Sequence, residues 1–127
     1  MIIVLIHWRI KATDKAEKDF LDFWTKVAKI SDKEHLIGEF LSAPIPANQF
    51  PFRIDDLSLG AGILNCRHFM NVGIWDDWES FNKEVGHLMN DTSDIQSFEA
   101  DRRTRTILQP KEWRIGLSAL PKDGTCE

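Results

Sequence analysis

The spacing of the hydrophobic residues changes abruptly at Trp75. Before Trp75 they form an almost continuous run, and after it they recur every three or four residues, at Trp78, Phe81, Val85 and Leu88. The first pattern is typical of a buried strand and the second of an amphipathic helix. Asp76 or Asp77 can cap that helix. The chain is therefore predicted to form a strand over about 67–75 that leads directly into a helix over about 77–89.

A similar strand and helix are predicted at the start of the chain. Residues 2–11 alternate, so that one face of the strand is wholly apolar. That face carries Ile2, Val4, Ile6, Trp8 and Ile10. Asp14 and Glu17 have the spacing of a capping box at the start of the helix. The apolar stripe of this helix consists of Ala16, Phe20, Phe23, Trp24, Val27 and Ile30. A second strand is predicted over 36–41.

The rest of the chain is less regular. Residues 43–65 contain three prolines and two glycines, and a connection of this length is either a functional lid or interface arm, or a tolerated surface insertion. Ser93 and Gln96 suggest a short extra helix to about 101. The last strand is predicted over 103–108 and is ended by Pro110.

The order of these elements repeats one unit twice: β-α-β, the long connection, then β-α-(α)-β. A right-handed crossover in each half gives the ferredoxin-like α+β arrangement, in which a four-stranded antiparallel sheet has its helices on one face. Residues 1–117 form this single domain, and 118–127 form a C-terminal tail. The opposite sheet face would expose Ile3 and Leu5, so we expect a homodimer that packs sheet on sheet.

Composition and charge argue against several classes of function. The 127-residue chain is 43% hydrophobic, and its net charge of −4 gives no electrostatic footprint for nucleic acid or an acidic membrane. Its apolar start is too short to span a bilayer. Cys66 and Cys126 fit no metal or redox spacing, which favours free thiols in a cytoplasmic protein. No two histidines are spaced i, i+4 and no phosphate-binding loop is present, so neither a metal nor a cofactor is expected.

Three features of the chain are shared with one known family. They are the Trp75-x5-Phe81 junction, the doubled β-α-β order and the glycine that opens Gly38-Glu39-Phe40. Together they resemble the antibiotic biosynthesis monooxygenase-like family of dimeric α+β barrels, and the stretch from Arg102 to Trp113 is similar to the closing strand of such proteins. The resemblance covers most of residues 2–115 outside the long connection. It implies a dimeric barrel in which each subunit holds its substrate between the sheet and the helices.

The family includes enzymes for the cofactor-free oxidation of quinol-like aromatics, haem-degrading enzymes and members with no known activity. Quinol-oxidising members carry a Glu two residues before the junction aromatic and a His about nine residues after it, where this chain has Gly73 and Glu84. The Asn, Trp and His of the haem-degrading members are replaced by Trp8, Glu84 and Asp94. The resemblance therefore supports the fold, while the residues of both familiar chemistries are missing.

His68 is the candidate catalytic residue. It alternates with Met70, Val72 and Ile74, which predicts a position on the helix-facing side of its strand. A buried neutral imidazole there could accept a proton, and the alternative is a structural histidine with satisfied hydrogen bonds.

Three further residues are candidates for binding a substrate. Trp8 is either a pocket wall that stacks an aromatic ligand or a large core residue. Asn82 and Glu84 flank the apolar stripe of the second helix and are predicted to line the rim of the pocket. On the opposite, dimer-facing side of the sheet, His7 and Asn71 are expected to meet.

Two functions are consistent with these patterns. The first is cofactor-independent oxidation of a small aromatic, quinol-like substrate, in which the protein binds the substrate, orients it and removes a proton. The second is a non-enzymatic homodimer that binds a small hydrophobic molecule or a partner chain, with residues 43–65 as its contact arm.

Overall fold

One four-stranded sheet and two helices make up the described part of the protein. The computed structural model describes residues 1–45, 47–54, 65–86, 95–119, 122 and 124. The regular elements along the chain are β1 (Ile2–Lys11), α1 (Asp14–Asp22), a π-helical turn (Phe23–Val27), β2 (Leu36–Ser42), a 3-10 turn (Ala47–Gln49), β3 (Cys66–Trp75), α2 (Trp78–Val85) and β4 (Glu99–Leu108).

The strands lie in the order β2-β3-β1-β4, and all neighbouring strands are antiparallel. This α+β arrangement is compatible with a ferredoxin-like fold, which confirms the predicted sheet and the predicted order of strands and helices. None of the described helices is both long enough and apolar enough to cross a membrane.

The core lies between the sheet and the helices. Its buried apolar residues are Val4, Ile6, Trp8, Ile10, Ala16, Phe20, Phe69, Trp75, Phe81, Val85 and Phe98. Residues that are directly paired in an antiparallel sheet point to the same face. The predicted apolar face of β1 is therefore confirmed, and its partners in β3, including Phe69 opposite Trp8 and Trp75 opposite Ile2, share that face.

The predicted orientation of β3 is wrong. His68 is paired with Arg9, on the face away from the helices, whereas Asn71 is paired with Ile6 on the helix-facing side. Both faces of β3 carry apolar residues, so its periodicity alone does not tell which face is buried. The orientation follows instead from Trp75, which is fully buried and packs against Phe81 with a ring-centroid separation of 5.8 Å.

The first helix does not continue regularly along its predicted stripe. Its regular α-helical hydrogen bonding gives way to a π-helical turn, in which the Ala28 amide donates to the Phe23 carbonyl at 2.9 Å. The wider turn changes the angular position of the residues in it. Phe23 and Trp24 pack against the core, whereas Val27, predicted to belong to the buried stripe, is 62% exposed.

The cap of α1 differs from its prediction, whereas the cap of α2 is one of the two residues predicted for it. Helix α1 is capped by Thr13, whose hydroxyl accepts a hydrogen bond from the Ala16 amide, so the cap lies one residue before Asp14. Helix α2 is capped by Asp77, which accepts from the Ser80 amide. Residues 87–89 of the predicted second helix lie outside the described residues.

The extra helix predicted up to about residue 101 is not formed by the described part of that segment. A turn at Gln96 is closed by the Glu99 amide, which donates to the Gln96 carbonyl at 3.0 Å, and β4 begins at Glu99. Phe98 and Glu99 are both buried, which fixes the start of the strand. Ser93, most of the 55–65 segment and Cys126 lie outside the described residues.

Replacement of Thr13 by alanine is expected to lower the free energy of unfolding by about 1 kcal/mol, because one amide of the first turn of α1 loses its acceptor. Urea unfolding monitored by circular dichroism measures the change. Thr13→Ser keeps the acceptor and should remain close to the wild type. A larger loss in Asp14→Ala than in Thr13→Ala would contradict the assignment of the cap.

Candidate functional site

A small cavity lies between the helix-facing side of the sheet and the π-helical turn. Its volume is about 40 Å³. The residues around it are Ile6, Trp8, Phe23, Trp24, Ala28, Ile30, Glu39, Asn71, Val85, Arg103 and Arg105. Most of this lining is apolar or aromatic, and the polar residues come from β2, β3 and β4. We call this space the helix-side cavity.

The π-helical turn places two consecutive aromatic residues, Phe23 and Trp24, at the helix-side cavity. In a regular α-helix, adjacent residues are about 100° apart and only one of them would face the sheet squarely. Turns of this kind are frequent at functional sites. Together with Trp8, whose ring centroid lies 6.2 Å from that of Phe23, these residues give the cavity aromatic walls.

A chain of hydrogen bonds crosses the cavity from helix to sheet. The Trp24 indole Nε1 donates to Asn71 Oδ1 at 3.2 Å, and Asn71 Nδ2 donates to Glu39 Oε2 at 3.3 Å. Because an indole nitrogen can only donate, Asn71 must present its oxygen to Trp24 and its NH₂ group to the carboxylate. Asn71, which is only 3% exposed, thus aims a fixed donor at Glu39.

Glu39 is the carboxyl group at this site. Burial raises its pKa above the ordinary value, while the hydrogen bond from Asn71 and the charge of Lys33 act in the opposite direction. Glu39 is paired with Gly73 in the sheet. A Cβ atom at Gly73 would lie 3.1 Å from Trp75 Nε1 and 3.7 Å from Glu39 Oε2, so the glycine leaves room for the indole and the carboxyl group.

A larger groove lies beside the cavity, along β2. It has a volume of about 490 Å³, within the range of sites that bind small molecules. The groove and the cavity share Trp24, Ala28, Ile30 and Glu39. Glu39 is therefore the one titratable residue, among those described, that lines both spaces.

Of the three predicted substrate-binding residues, one lines the helix-side cavity and two do not. Trp8 lines the helix-side cavity. Asn82 is exposed and Glu84 lines a separate surface depression of about 220 Å³ beside His35, so neither of these two residues is part of the cavity lining. Of the described residues of α2, Val85 lines the cavity.

The sequence patterns did not identify Glu39, Asn71 or Trp24 as site residues. One signal was available: Glu39 is the single charged residue in the apolar run Leu36–Leu41. A charge in such a strand is either exposed at its outer face or buried with a specific partner. In the structure Glu39 is half-buried, and it accepts a hydrogen bond from Asn71 of the neighbouring strand β3.

His68, the predicted catalytic residue, lies on the sheet face that points away from the helices, which we call the open face. It is therefore on the opposite side of the sheet from Trp8 and the helix-side cavity. His7 Nε2 and His68 Nδ1 are 2.9 Å apart, and His68 Nε2 lies 3.3 Å from Cys66 Sγ. The expected contact of His7 with Asn71 is therefore wrong, and the expected position of His68 beside a ligand between sheet and helices is wrong for the same reason.

Arg9 sets the direction of this second chain of hydrogen bonds. Its Nη2 donates to His7 Nδ1 at 3.3 Å, and a guanidinium has no acceptor. A neutral His7 must then donate from Nε2 to His68 Nδ1, and a neutral His68 must donate from Nε2 to the sulfur of Cys66. Burial raises the pKa of the Cys66 thiol, with the Arg9 charge acting in the opposite direction, so the sulfur accepts this bond chiefly as a thiol.

Among the described residues, no group of three or more His, Cys, Asp and Glu side chains could hold a metal ion. No protein-family model and no curated protein matches this chain, so its resemblance to the monooxygenase-like family stays a prediction.

Nitrogen-15 NMR should find His7 neutral, as the Nε2–H tautomer, at pH 7. Burial, followed by the charges of Arg9 and His68, lowers the pKa of His7 from 6.5 to about 4. Since the unfolded chain binds this proton more readily, the contribution of His7 to stability is complete above pH 6.5 and is lost as the pH falls toward 4. His35 is an internal control, because its hydrogen bond with Asp76 raises its pKa. Titration of His7 near pH 6.5 would contradict the donor order.

Proposed function

We propose that the protein binds a small aromatic molecule in the groove and the helix-side cavity, and that Glu39 removes a proton from it. This step would begin a cofactor-independent, monooxygenase-like oxidation of a quinol-like substrate by dioxygen. The observation that supports it is a half-buried carboxyl group, held by Asn71, beside aromatic walls.

The chemistry requires a base, an apolar environment and an oriented substrate. Burial makes the Glu39 carboxylate a stronger base than an exposed one, and the Asn71 amide keeps one of its oxygens in a fixed position. Removal of a phenolic proton makes the aromatic ring electron-rich, and the substrate itself then supplies the electrons that reduce dioxygen. The protein has to bind, orient and deprotonate, which are contributions of proximity and general base catalysis.

We also propose that the protein is a homodimer that packs the open sheet faces together, as in a dimeric α+β barrel. The open face carries apolar side chains at one end, from Ile3 and Leu5 of β1 and their partners Ile74 and Val72 of β3. Phe40 of β2, opposite Val72, is 37% exposed. A group of neighbouring apolar side chains on one face of a sheet is typical of an interface.

A second candidate function is non-enzymatic binding of a ligand or a partner chain. The cavity itself, at about 40 Å³, is far smaller than sites that enclose a drug-sized molecule. In the described part of the long connection, the rings of Phe50 and Phe52 lie 5.8 Å apart, and Phe52 is 64% exposed. An exposed aromatic pair on a long connection favours a contact arm. If Phe52→Ser abolishes partner binding but Glu39→Gln does not, this second function is favoured.

Glu39→Gln should reduce aerobic turnover of a quinol panel by about 100-fold or more, because the amide cannot accept the proton. Steady-state oxygen consumption measures the rate. Glu84→Gln, a half-buried carboxyl group outside the cavity, and His68→Ala, on the other sheet face, should retain wild-type turnover.

The wild-type rate should also fall as the pH is lowered through the raised pKa of Glu39, since only the carboxylate accepts a proton. Unchanged turnover in Glu39→Gln would contradict the assigned base. Absence of turnover by the wild type would contradict the enzymatic function.

Light scattering of the wild type should give twice the monomer mass. Leu5→Glu places a charge on the apolar end of the open face and should shift the equilibrium to monomers, because burying an unpaired carboxylate is costly. Lys83→Glu, an exposed change on α2, should leave the dimer intact. A monomeric wild type would contradict the proposed interface.

A further inference from the structure

A short stretch of chain beyond β4 carries large apolar side chains on the surface of the protein. Trp113, Ile115 and Leu117 occupy every second position of it and are 66%, 85% and 106% exposed. A Cβ atom added at Gly116 would meet no atom of the described residues within 4 Å, its chain neighbours apart. We call residues 113–117 the apolar arm. Apolar side chains that are so exposed in close succession mark an interaction site.

The chain enters and leaves the region of this arm at the apolar end of the open face. Leu108, the last residue of β4, is paired with Ile3, which is paired in turn with Ile74. Leu108 is itself exposed and extends the apolar patch to the edge of the sheet. Beyond the arm, Gly124 lines the groove beside the first residues of β2, and β2 begins opposite Trp75 at the same end of the sheet. The arm is therefore continuous with the apolar patch.

Two-fold symmetry determines which strand of a second copy lies near the arm. When two identical sheet faces pack together, the symmetry axis lies between the sheets. An axis parallel to the strands brings the two apolar ends together, whereas an axis across the strands would place each apolar end on the polar end that carries His7, Arg9 and His68. Because β2 and β4 are the two outer strands, the axis parallel to the strands places β4 of one protomer over β2 of its partner.

The arm is long enough to reach β2 of the partner. Packed sheets lie about 10 Å apart, and the chain from Leu108 to Trp113 can span up to about 17 Å when it is extended. On its surface β2 presents Ile37, which is 46% exposed, and Phe40. As an outer strand it also offers backbone groups at its edge, and an extended segment can pair with such an edge. The alternation of apolar residues in the arm has the period of a strand.

We propose that the apolar arm of each protomer docks on β2 of a second copy of this chain, so that the two protomers exchange arms. Docking buries Trp113 and Ile115 against Ile37 and Phe40, and it removes apolar surface of both protomers from water. The inference rests on the proposed packing of the open faces and adds to it a separate contact at the edge of the sheet.

Sedimentation over a dilution series measures the dissociation constant of the dimer. Trp113→Ser should raise this constant by about 30-fold or more, the effect of a hot-spot aromatic residue, and Ile115→Ser should raise it by about tenfold. Circular dichroism of both variants should match the wild type, because both side chains are largely exposed in the single chain. Val27→Ser removes a similarly exposed aliphatic side chain from the π-helical turn and should leave the constant unchanged. Wild-type affinity in both arm variants would overturn the proposal.

Thiol cross-linking with a short bismaleimide tests where the arm docks. A chain with Ile115→Cys is mixed with a chain with Ile37→Cys, so that a link between these two positions can form only between protomers. Peptide mapping should find this link and should distinguish it from links to Cys66 or Cys126. A mixture of Ile115→Cys and Val27→Cys chains should give no link between the two substituted positions.

The outcomes separate the arm from the proposed dimer. A dimeric mixture without the link from position 115 to position 37 would overturn the docking of the arm and leave the packing of the open faces in place. A monomeric wild type would overturn both.

Discussion

The antiparallel register between β1 and β3 is the constraint on which the rest of the structure depends. It places Trp8 opposite Phe69 and Ile6 opposite Asn71 on the side of the helices, and Arg9 opposite His68 on the other side. Because side chains alternate along a strand, a shift of one residue would exchange the two faces. The core, the polar group that holds Glu39 and the histidine pair of the open face all follow from this single pairing.

The two faces of β3 use polar residues in the same way. On the helix side, an indole that can only donate fixes the orientation of Asn71. On the open side, a guanidinium that can only donate fixes the proton positions of His7. In both cases a group that can only donate fixes the direction of the hydrogen bonds along a chain of side chains that can both donate and accept. The chain on the helix side ends on a carboxyl group beside a cavity, whereas the chain on the open side ends on a thiol.

Much of the fold could be predicted from the sequence, because β1 and α2 each have one clearly apolar side. The candidate site could be predicted only in part. The orientation of β3 does not follow from its apolar spacing, because both of its faces are apolar, and the predicted position of His68 is wrong for that reason. The turn that brings Trp24 to the cavity depends on a hydrogen bond from the Ala28 amide to the carbonyl of Phe23, five residues earlier. The spacing of the apolar residues does not predict this bond. Glu39 was visible as a lone charge, but its partner came from a strand far away in the chain.

The small residue at position 73 has a consequence for how such proteins are compared. The family resemblance places a glutamate there, whereas this chain has Gly73, and its cross-strand neighbour is Glu39. The carboxyl oxygen of Glu39 lies 3.7 Å from the point where a side chain on Gly73 would begin. A negative charge can thus occupy one region of space from either of two adjacent strands. An alignment that compares single columns does not register an exchange of this kind between neighbouring strands.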